Sequence, residues 1–327
     1  MKALVTGGTG FVGSHLIDKL LENNFDVYCT IRKTSNLKWL KGKKLNLIES
    51  NSLNDSFIKE IIEDVDYIFH IAGIVKAKTE SEYEKGNYII TKNLLDLVLK
   101  SHHKLKKFVF ISSQAVCGPN PDEKPIDETY IPKPITAYGR TKLKAEQEVL
   151  LHKDKIPVTI IRPCAIFGPR DTEILVYFKT YSKGLNAIIG FKRKYLSLIF
   201  IDDLINGILL TTKNERANGE IFFLSNTEFY DWDEIASTTA KVFNKKALKI
   251  RIPHWIVYSA GAISEFFSFF SKCAATLNLE KCKDITQTRW VCSNKKAREI
   301  LGFKEKYSLE DGFRKTVEWY KEKGWIK

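Results

Sequence analysis

The sequence lacks the patterns that mark metal-dependent, redox-active and repetitive proteins. Its six cysteines never form a Cys-x-x-Cys pair, which excludes the usual zinc and dithiol motifs. No His-x-x-x-His motif or cluster of carboxylates predicts a metal site, and no Pro/Gly/Ser-rich linker or internal repeat divides the chain. We therefore expect one compact unit with reduced, mostly structural thiols and no bound metal.

A long uninterrupted apolar run is also missing. The most apolar late stretch, Ile252 to Phe270, contains His254, Ser259 and Glu265, so it predicts an amphipathic helix and not an integral membrane segment. The chain runs from Met1 straight into a strand pattern and leaves no room for a signal peptide. We expect a cytoplasmic protein.

Acidic residues are fewer than basic ones, and the formal net charge is +13. The excess lysines are spread along the chain and form no dense basic block, which argues against a nucleic-acid partner. The charge favours a small anionic substrate or cofactor.

Short apolar runs alternate with helical patterns through the first half of the chain. Strands are predicted at Lys2–Thr6, Asp26–Ile31, Leu45–Glu49, Asp66–His70, Phe108–Ser112 and Val158–Arg162, and helices at Val12–Asn23, Asn87–Ser101, Ala137–His152, Asp202–Thr212, Asp231–Phe243, Ser293–Gly302 and Leu309–Lys323. This alternation predicts an α/β, Rossmann-type fold with a doubly wound parallel sheet and a smaller C-terminal substrate domain. We assign residues 1–163 to the cofactor domain, with a return segment near 196–225, and residues 164–327 mainly to the substrate domain.

A glycine-rich loop joins the first strand to the first helix. It reads Thr6-Gly7-Gly8-Thr9-Gly10-Phe11-Val12-Gly13, and a dinucleotide pyrophosphate can rest on the helix N-terminus at such a turn. Gly7 and Gly10 would let the backbone approach the phosphates, and Gly13 would let helix and strand pack closely. A glycine-rich turn without a ligand is the structural alternative.

The end of the second strand indicates which dinucleotide binds. NAD-binding versions of this unit carry a carboxylate there for the ribose 2′-hydroxyl, but here Arg32-Lys33-Thr34-Ser35 follows Ile31. Arg32 can pair with a 2′-phosphate, assisted by Lys33 or Ser35. We predict NADP(H), with NAD possible if Arg32 only stacks on adenine or faces solvent.

Tyr138 and Lys142 lie four residues apart and share one face of a predicted helix. A nearby cation lowers a phenol pKa, so we expect Lys142 to prepare Tyr138 for acid–base work. Tyr88 and Lys92 have the same spacing, but only Tyr138 follows a strand that ends in Ser112-Ser113, at the sheet edge where ligands bind. Ser113 could orient a substrate oxygen, whereas Tyr88 is assigned to packing or the surface.

Together these motifs resemble the extended short-chain dehydrogenase/reductases, also called the NAD-dependent epimerase/dehydratase family, over nearly the whole chain. The resemblance is carried by Thr6–Gly13, Ile71-Ala72-Gly73, Asn87, Phe110–Ser113 before Val116-Cys117-Gly118, Tyr138–Lys142, and Arg162-Pro163 before Phe167-Gly168-Pro169-Arg170. It implies that Ser113, Tyr138 and Lys142 are the catalytic residues, that Lys142 also holds the nicotinamide ribose, and that Ile71–Gly73 line the cofactor. Cys117 stands where many members have tyrosine, a departure expected to alter substrate contacts.

The candidate binding residues fall into two groups, one for the cofactor and one for the substrate. Candidate cofactor-binding residues are Thr6, Gly7, Thr9, Gly10, Phe11, Val12, Gly13, Arg32, Lys33, Ser35, Asn51, Ser52, Ile71, Ala72, Gly73, Lys76, Ile111, Ser112, Tyr138, Lys142 and Pro163. Candidate substrate-binding residues are Lys76, Ser113, Ala165 and Ile166.

Two substrate classes remain open. Sugar-nucleotide members of the family typically have an Asn near position 165 and an Arg-Asp pair near position 196, where this chain has Ala165 and Leu196-Ser197. Their absence favours a reductase similar to 3β-hydroxysteroid dehydrogenases and dihydroflavonol reductases. The aromatic stretch 255–270 suits a hydrophobic pocket or lid, or plain helix packing, while Lys192-Arg193-Lys194 could bind phosphate or form a solvated loop.

Three further expectations complete the sequence interpretation. A non-catalytic, NADP-sensing protein is a possible alternative, although intact Ser113, Tyr138 and Lys142 argue against it. His102-His103 are expected to form a polar helix end. The family resemblance implies a homodimer formed through the helices of Asn87 and Ala137.

Overall fold

The fold is described from a computed structural model that covers residues 1–101, 104–271 and 274–327. His102, His103 and Cys273, on which expectations were placed, lie outside the described residues. The other five cysteines are buried, free thiols.

Strands and helices alternate along the first 224 residues. The strands are β1 Lys2–Thr6, β2 Asp26–Ile31, β3 Asn46–Glu49, β4 Tyr67–His70, β5 Lys107–Ile111, β6 Val158–Pro163, β7 Ala165–Phe167, β8 Leu185–Ile189, β9 Tyr195–Phe200, β10 Glu220–Leu224, β11 Phe229–Asp231, β12 Leu248–Ile252 and β13 Arg289–Trp290. The α-helices are α1 Phe11–Glu22, α2 Ser56–Asp64, α3 Glu80–Tyr83, α4 Ile90–Lys100, α5 Ala137–Leu150, α6 Leu175–Ser182, α7 Ile201–Thr212, α8 Trp232–Phe243, α9 His254–Phe269, α10 Leu279–Ile285 and α11 Leu309–Glu322. Short 3₁₀ turns span Gln114–Val116 and Glu215–Ala217, and π-helical turns span Glu84–Ile89 and Ala297–Leu301.

Seven strands form one parallel sheet in the order β3-β2-β1-β4-β5-β6-β10. The order reverses at β1 and β4, which makes the gap beyond their carboxyl ends a topological switch point. Strands β4, β5 and β6 are buried on both faces, as expected when helices cover both sides of a parallel sheet. The predicted Rossmann-type fold is confirmed.

Small sheets occupy the part of the chain that follows Pro163. Strand β9 pairs with β7, β11 and β13, and β8 pairs with β12. Strand β10, in contrast, returns to the large sheet beside β6. Helix α7 also contacts α1, β5 and β6, so this part of the later chain packs against the elements of the large sheet.

The helix expected from Asn87 begins earlier than predicted. Continuous helix runs from Glu80 to Lys100 and includes the π-helical turn Glu84–Ile89. Thr79 caps its start, because its side chain accepts a hydrogen bond from Glu82 N at 3.2 Å. Thr79 and Glu82 form an N-terminal signal three residues apart that the sequence interpretation overlooked.

Helix α9 occupies most of the predicted Ile252–Phe270 stretch. Among the described residues, no helix has the length and apolarity needed to traverse a lipid bilayer. Only Val257 and Gly261 of this helix are buried. The expectation that the phenylalanines of this stretch pack in the core is therefore wrong, since Phe266, Phe267, Phe269 and Phe270 are all exposed.

Candidate active site

Most candidate site residues follow directly on the carboxyl ends of the central strands. Thr6 ends β1, Arg32 follows β2, Ile71 follows β4 and Ser112 follows β5. Parallel strands place these ends at one edge of the sheet, so residues far apart in sequence face one crevice.

The glycine loop is shaped by close backbone approaches. Gly7 has φ +74°, and a Cβ there would lie 2.7 Å from Ala72 N. A Cβ on Gly13 would lie 2.3 Å from Gly7 O. The protein's own packing therefore requires both glycines. Gly7 packs against the backbone after β4, and Gly13 packs against the glycine loop itself.

Gly10 differs from both neighbouring glycines. Its φ is −81°, and a Cβ would meet only Gly7 O at 3.4 Å, so the fold itself does not demand glycine there. Gly10 is the exposed N-cap of α1 and no side chain caps that helix start. Open space above bare helix amides fits an anionic pyrophosphate.

Arg32 begins a closed turn beyond β2. Its backbone N donates to Ser35 Oγ at 2.9 Å, and Ser35 N donates to Arg32 O at 2.8 Å. The Arg32 side chain is exposed and makes no ion pair with any described residue. Lys33 beside it is exposed as well, so this turn presents two cations and no carboxylate.

A buried hydrogen-bond chain runs beneath the loop after β4. Thr91 Oγ1 donates to Asn87 O at 2.6 Å and lies 2.9 Å from His70 Nε2, which must then be the protonated nitrogen. His70 Nδ1 accepts from Thr6 Oγ1 at 2.7 Å, and Thr6 Oγ1 accepts from Ala72 N at 3.2 Å. Burial, aided by the charge of Lys142, lowers the pKa of His70 to about 3, so this link between β1, β4 and the Thr91 helix is neutral.

Asn87 fixes the same loop from the π-helical turn. Its Oδ1 accepts from Ile74 N at 2.8 Å, while its Nδ2 donates to Ile74 O at 3.2 Å and to Thr141 Oγ1 at 3.1 Å. Thr141 directly precedes Lys142 in α5. Asn87 thus ties the loop after β4 to the helix that carries Tyr138 and Lys142.

Ser113 and Tyr138 meet where β5 and α5 approach each other. Ser113 caps the 3₁₀ turn, with its Oγ accepting from Ala115 N at 3.1 Å. A Cβ on Gly139 would stand 2.5 Å from Ala115 O, so glycine lets the start of α5 reach this turn. Ser113 thereby comes close enough to Tyr138 to act on the pKa of its phenol.

The phenol of Tyr138 does not have the lowered pKa expected from the sequence. Burial raises the pKa of Tyr138 to about 12, although the hydrogen bond from Ser113 acts in the opposite direction. The expected lowering by Lys142 is wrong here because burial of the phenol dominates. At neutral pH Tyr138 therefore holds its proton and can give it away.

Lys142 lies under the carboxyl end of β5. Its Nζ donates to Ile111 O at 2.6 Å and stands 4.1 Å from the centre of the Phe110 ring. Burial lowers the pKa of Lys142 to about 7, with Glu146 opposing the shift. Lys142 is consequently only partly charged near neutrality, which weakens its field at Tyr138.

Two buried polar atoms beside these residues have no partner in the described part of the chain. They are Ser112 Oγ and Gln114 Nε2. Unpaired buried polar groups are costly, and Ser112 is one of the candidate cofactor contacts. The orphaned hydroxyl of Ser112 and the open space at Gly10 are both consistent with a polar ligand at this edge of the sheet.

The remaining candidate residues form a less compact set. Asn51 is exposed after β3, and the carbonyl of Ser52 accepts from Asn93 Nδ2 at 2.8 Å. Lys76 forms an ion pair with Glu173 at 2.6 Å, so its ammonium is already engaged. Pro163 ends β6, and Ala165 and Ile166 belong to β7, with only Ala165 exposed.

The Lys192-Arg193-Lys194 run is not a simple solvated loop. Arg193 pairs with the buried carboxylate of Asp231, and Lys194 is buried with its Nζ donating to Ile285 O at 2.7 Å. Of the three, only Lys192 both is exposed and forms no ion pair with any described residue. The run therefore contributes mainly to the packing of the later chain.

A buried ion pair was missed by the sequence interpretation. Arg162 NH2 lies 2.7 Å from Glu146 Oε2, and both side chains are almost fully buried. Arg162 also donates to Cys117 Sγ at 3.4 Å. The pair fastens α5 to β6, and its only sequence signal was the single charge of Arg162 within the apolar run of β6.

The fold and this crevice define a dinucleotide-dependent enzyme class. Residues 3–224 match the family model described as "NAD dependent epimerase/dehydratase family", which confirms the resemblance seen in the motifs. The chain belongs to this family, whose members are NAD(P)-dependent oxidoreductases, epimerases and dehydratases acting on CH–OH groups.

Individual relatives cover nearly the whole chain at low identity. Ceramide reductase of Caulobacter vibrioides is 22% identical over 98% of this chain and 95% of its own length. The decarboxylating sterol-4-alpha-carboxylate 3-dehydrogenase of Candida albicans is 26% identical over 98% and 97%. The crystal structure of UDP-glucuronic acid 4-epimerase from Bacillus cereus with UDP-glucuronic acid and NAD matches with a TM-score of 0.78 and 25% identity, covering 98% of this chain and 99% of that one.

Proposed function

We propose that this protein is an NADP(H)-dependent reductase that interconverts a ketone or aldehyde with an alcohol on a hydrophobic small molecule. The observation that carries the proposal is the placement of Ser113 next to Tyr138, with buried Lys142 one helical turn further on, at the carboxyl edge of the sheet. The side-chain set supplies an acid, an oxygen-orienting hydroxyl and a cation within one crevice.

The reaction is a reduction at a carbonyl carbon. A bound nicotinamide supplies the hydride for that carbon. Tyr138, which holds its proton at neutral pH, gives that proton to the substrate oxygen as negative charge develops on it. Ser113 would donate a hydrogen bond to the same oxygen, and Lys142 would hold the ribose of the cofactor.

The preference for NADP(H) rests on the turn that follows β2. Arg32 and Lys33 are exposed there, and no carboxylate competes with a 2′-phosphate. A guanidinium forms two parallel hydrogen bonds with a phosphate, which raises both affinity and selectivity. Gly10 and the uncapped start of α1 would hold the pyrophosphate.

The hydrophobic substrate class is supported by two observations. The residues where sugar-nucleotide enzymes carry polar anchors are here Ala165 and Leu196. Two relatives that span almost the entire chain are named for a ceramide and for a sterol carboxylate. Both names describe reactions on lipid-like molecules.

A second candidate function is epimerisation or dehydration of a nucleotide sugar. Its support is the structural likeness to an epimerase holding UDP-glucuronic acid and NAD. The nonpolar Ala165 and Leu196, at the positions where sugar-nucleotide members carry polar anchors, weigh against this candidate.

Cofactor titration and turnover distinguish these candidates. Nucleotide fluorescence should show tighter binding of NADPH than of NADH, and NADPH should be oxidised when long-chain or polycyclic ketones are added. Tighter binding of NADH, together with conversion of UDP-glucose or UDP-glucuronic acid in the presence of NAD, would replace the reductase proposal by the epimerase one.

A further inference from the structure

Helix α9 presents an apolar surface that the protein leaves uncovered. It contacts the body of the protein along a narrow strip, where a Cβ on Gly261 would stand 2.4 Å from Cys282 Sγ. Around that strip, Trp255 is 70% exposed, Phe269 79% and Phe270 74%. We call this apolar surface the α9 patch; its members are Trp255, Ile256, Ile263, Phe266, Phe267, Phe269 and Phe270.

The rings at the C-terminal end of α9 pack against one another and not against the core. Phe270 lies 5.5 Å from Phe266 and 5.6 Å from Phe269, measured between ring centres. An exposed cluster of large aromatic rings marks an interaction site in a folded protein. The only carboxylate of the helix, Glu265, is engaged by Leu279 N at 2.9 Å.

Cations border the α9 patch at both ends. At the N-terminal end, Gly190 lies directly beside the first residue of α9, since a Cβ on Gly190 would stand 2.5 Å from His254 Nε2. The exposed residues Phe191 and Lys192 follow Gly190 in the chain. Arg251 donates to the carbonyl of Gly190 at 3.1 Å. At the C-terminal end, Lys78 Nζ donates to Ser271 O at 2.5 Å.

The α9 patch adjoins the candidate active site. Helix α10, on which α9 packs, supplies Glu280, whose carboxylate accepts from Ala137 N at 2.5 Å. Ala137 begins the helix that carries Tyr138. Lys78 lies five residues beyond Gly73, in the loop that borders the crevice.

We propose that the α9 patch docks the protein onto the surface of a membrane containing anionic lipids. Aromatic side chains of a helix lying parallel to the bilayer enter the interface, and flanking cations meet the negative headgroups. Helix α9 is about 24 Å long at 1.5 Å per residue, enough to lie along that interface. Docking here would bring the crevice next to lipid-soluble substrates, a consequence that rests on the proposed function, whereas the docking itself does not.

A second copy of the chain fits this surface less well. Both ends of the α9 patch carry cations, so two copies packed through it would oppose like charges in either a parallel or an antiparallel arrangement. Each copy also carries a formal charge of +13. An anionic lipid surface complements what a second copy would repel.

Vesicle flotation with the full-length protein tests the proposal. We expect binding to vesicles of phosphatidylcholine with about 30% phosphatidylglycerol, weaker binding to phosphatidylcholine alone, and a decrease with added salt. The double variant F269S/F270S should bind the anionic vesicles at least tenfold more weakly, because two exposed rings no longer enter the interface. A matched control is I131S/L151S, which removes two side chains of similar exposure, 74% and 73%, outside the patch and should bind like the wild type.

Three results would overturn the proposal. They are no binding to anionic vesicles, equal binding by F269S/F270S and the wild type, and a wild-type dimer that F269S/F270S converts to monomer without any change in flotation. The last would assign the patch to self-association. NADPH oxidation with a water-soluble ketone, measured on the same samples, separates failure of docking from failure of the proposed reaction.

Discussion

Gly13 packs against the carbonyl of Gly7, and a methyl group at Gly13 would stand 2.3 Å from that oxygen. Gly10, three residues earlier in the same loop, has no such neighbour. Glycine at these two positions of one motif thus has different causes: the fold requires Gly13, and the ligand that the loop is proposed to receive requires Gly10.

These two positions give a matched pair of substitutions. Gly13→Ala should lower the free energy of unfolding by about 1–3 kcal/mol, because the loop or the helix must shift. Gly10→Ala should leave it within about 0.5 kcal/mol of the wild type and weaken NADPH binding at least tenfold. Urea denaturation and nucleotide fluorescence measure the two effects, and wild-type NADPH affinity in Gly10→Ala would contradict the assignment of the loop.

Tyr138 is the proposed proton donor, and Tyr88 offers a control with the same spacing to a lysine. Tyr138→Phe should reduce turnover by about 10²–10⁴-fold while NADPH binding is retained. Tyr88 hydrogen-bonds Glu148 at 3.2 Å outside the crevice, so Tyr88→Phe should keep its activity. Steady-state rates of NADPH oxidation measure both effects. Equal turnover by Tyr138→Phe and Tyr88→Phe would refute the role of Tyr138.

Arg32 is the residue proposed to select NADP(H). Arg32→Asp should weaken NADPH binding by about 10- to 100-fold, because a charge-assisted pair with the 2′-phosphate is replaced by repulsion. NADH binding should change much less. Arg298→Asp, at another exposed position, controls for the altered net charge; an equal loss of NADPH affinity in both variants would mean that Arg32 makes no specific contact.

His70 makes stability depend on pH. Its folded-state pKa of about 3 lies below the ordinary value of 6.5, so the unfolded chain takes up the proton first. The stability contributed by neutral His70 is therefore complete above pH 6.5 and is lost as the pH falls towards 3, by about 1.4 kcal/mol per pH unit.

The variant His70→Phe removes that titration. Urea denaturation between pH 7 and 4 should show a shallower loss of unfolding free energy in His70→Phe than in the wild type. Parallel pH dependences of the two proteins would show that His70 is not held neutral by the fold.

The sheet was predictable from sequence because its strands are short apolar runs that alternate with helical patterns. Strand β2, for example, has the predicted bounds Asp26–Ile31. The start of the helix before β5 was not predictable in this way, because α3 and the π-helical turn carry many polar residues. Only the Thr79 cap marks where they begin.

The candidate site was predictable as a set of residues but not in its electrostatics. The sequence spacing predicted that Ser113 and Tyr138 share one crevice, and the two residues are neighbours in the structure. The raised pKa of Tyr138 and the neutral His70 depend on burial, which emerges only when distant strands assemble. The exposure of Phe269 and Phe270 likewise could not be read from a stretch whose composition equally suits a core helix.

Transfer of deuterium from NADPH that carries deuterium in both positions at C4 tests the central claim most directly. With a hydrophobic ketone, mass spectrometry should find deuterium on the carbinol carbon of the product with the wild type and Tyr88→Phe, and almost none with Tyr138→Phe. Unlabelled alcohol from the wild type, or equal labelling by Tyr138→Phe, would contradict hydride transfer assisted by Tyr138.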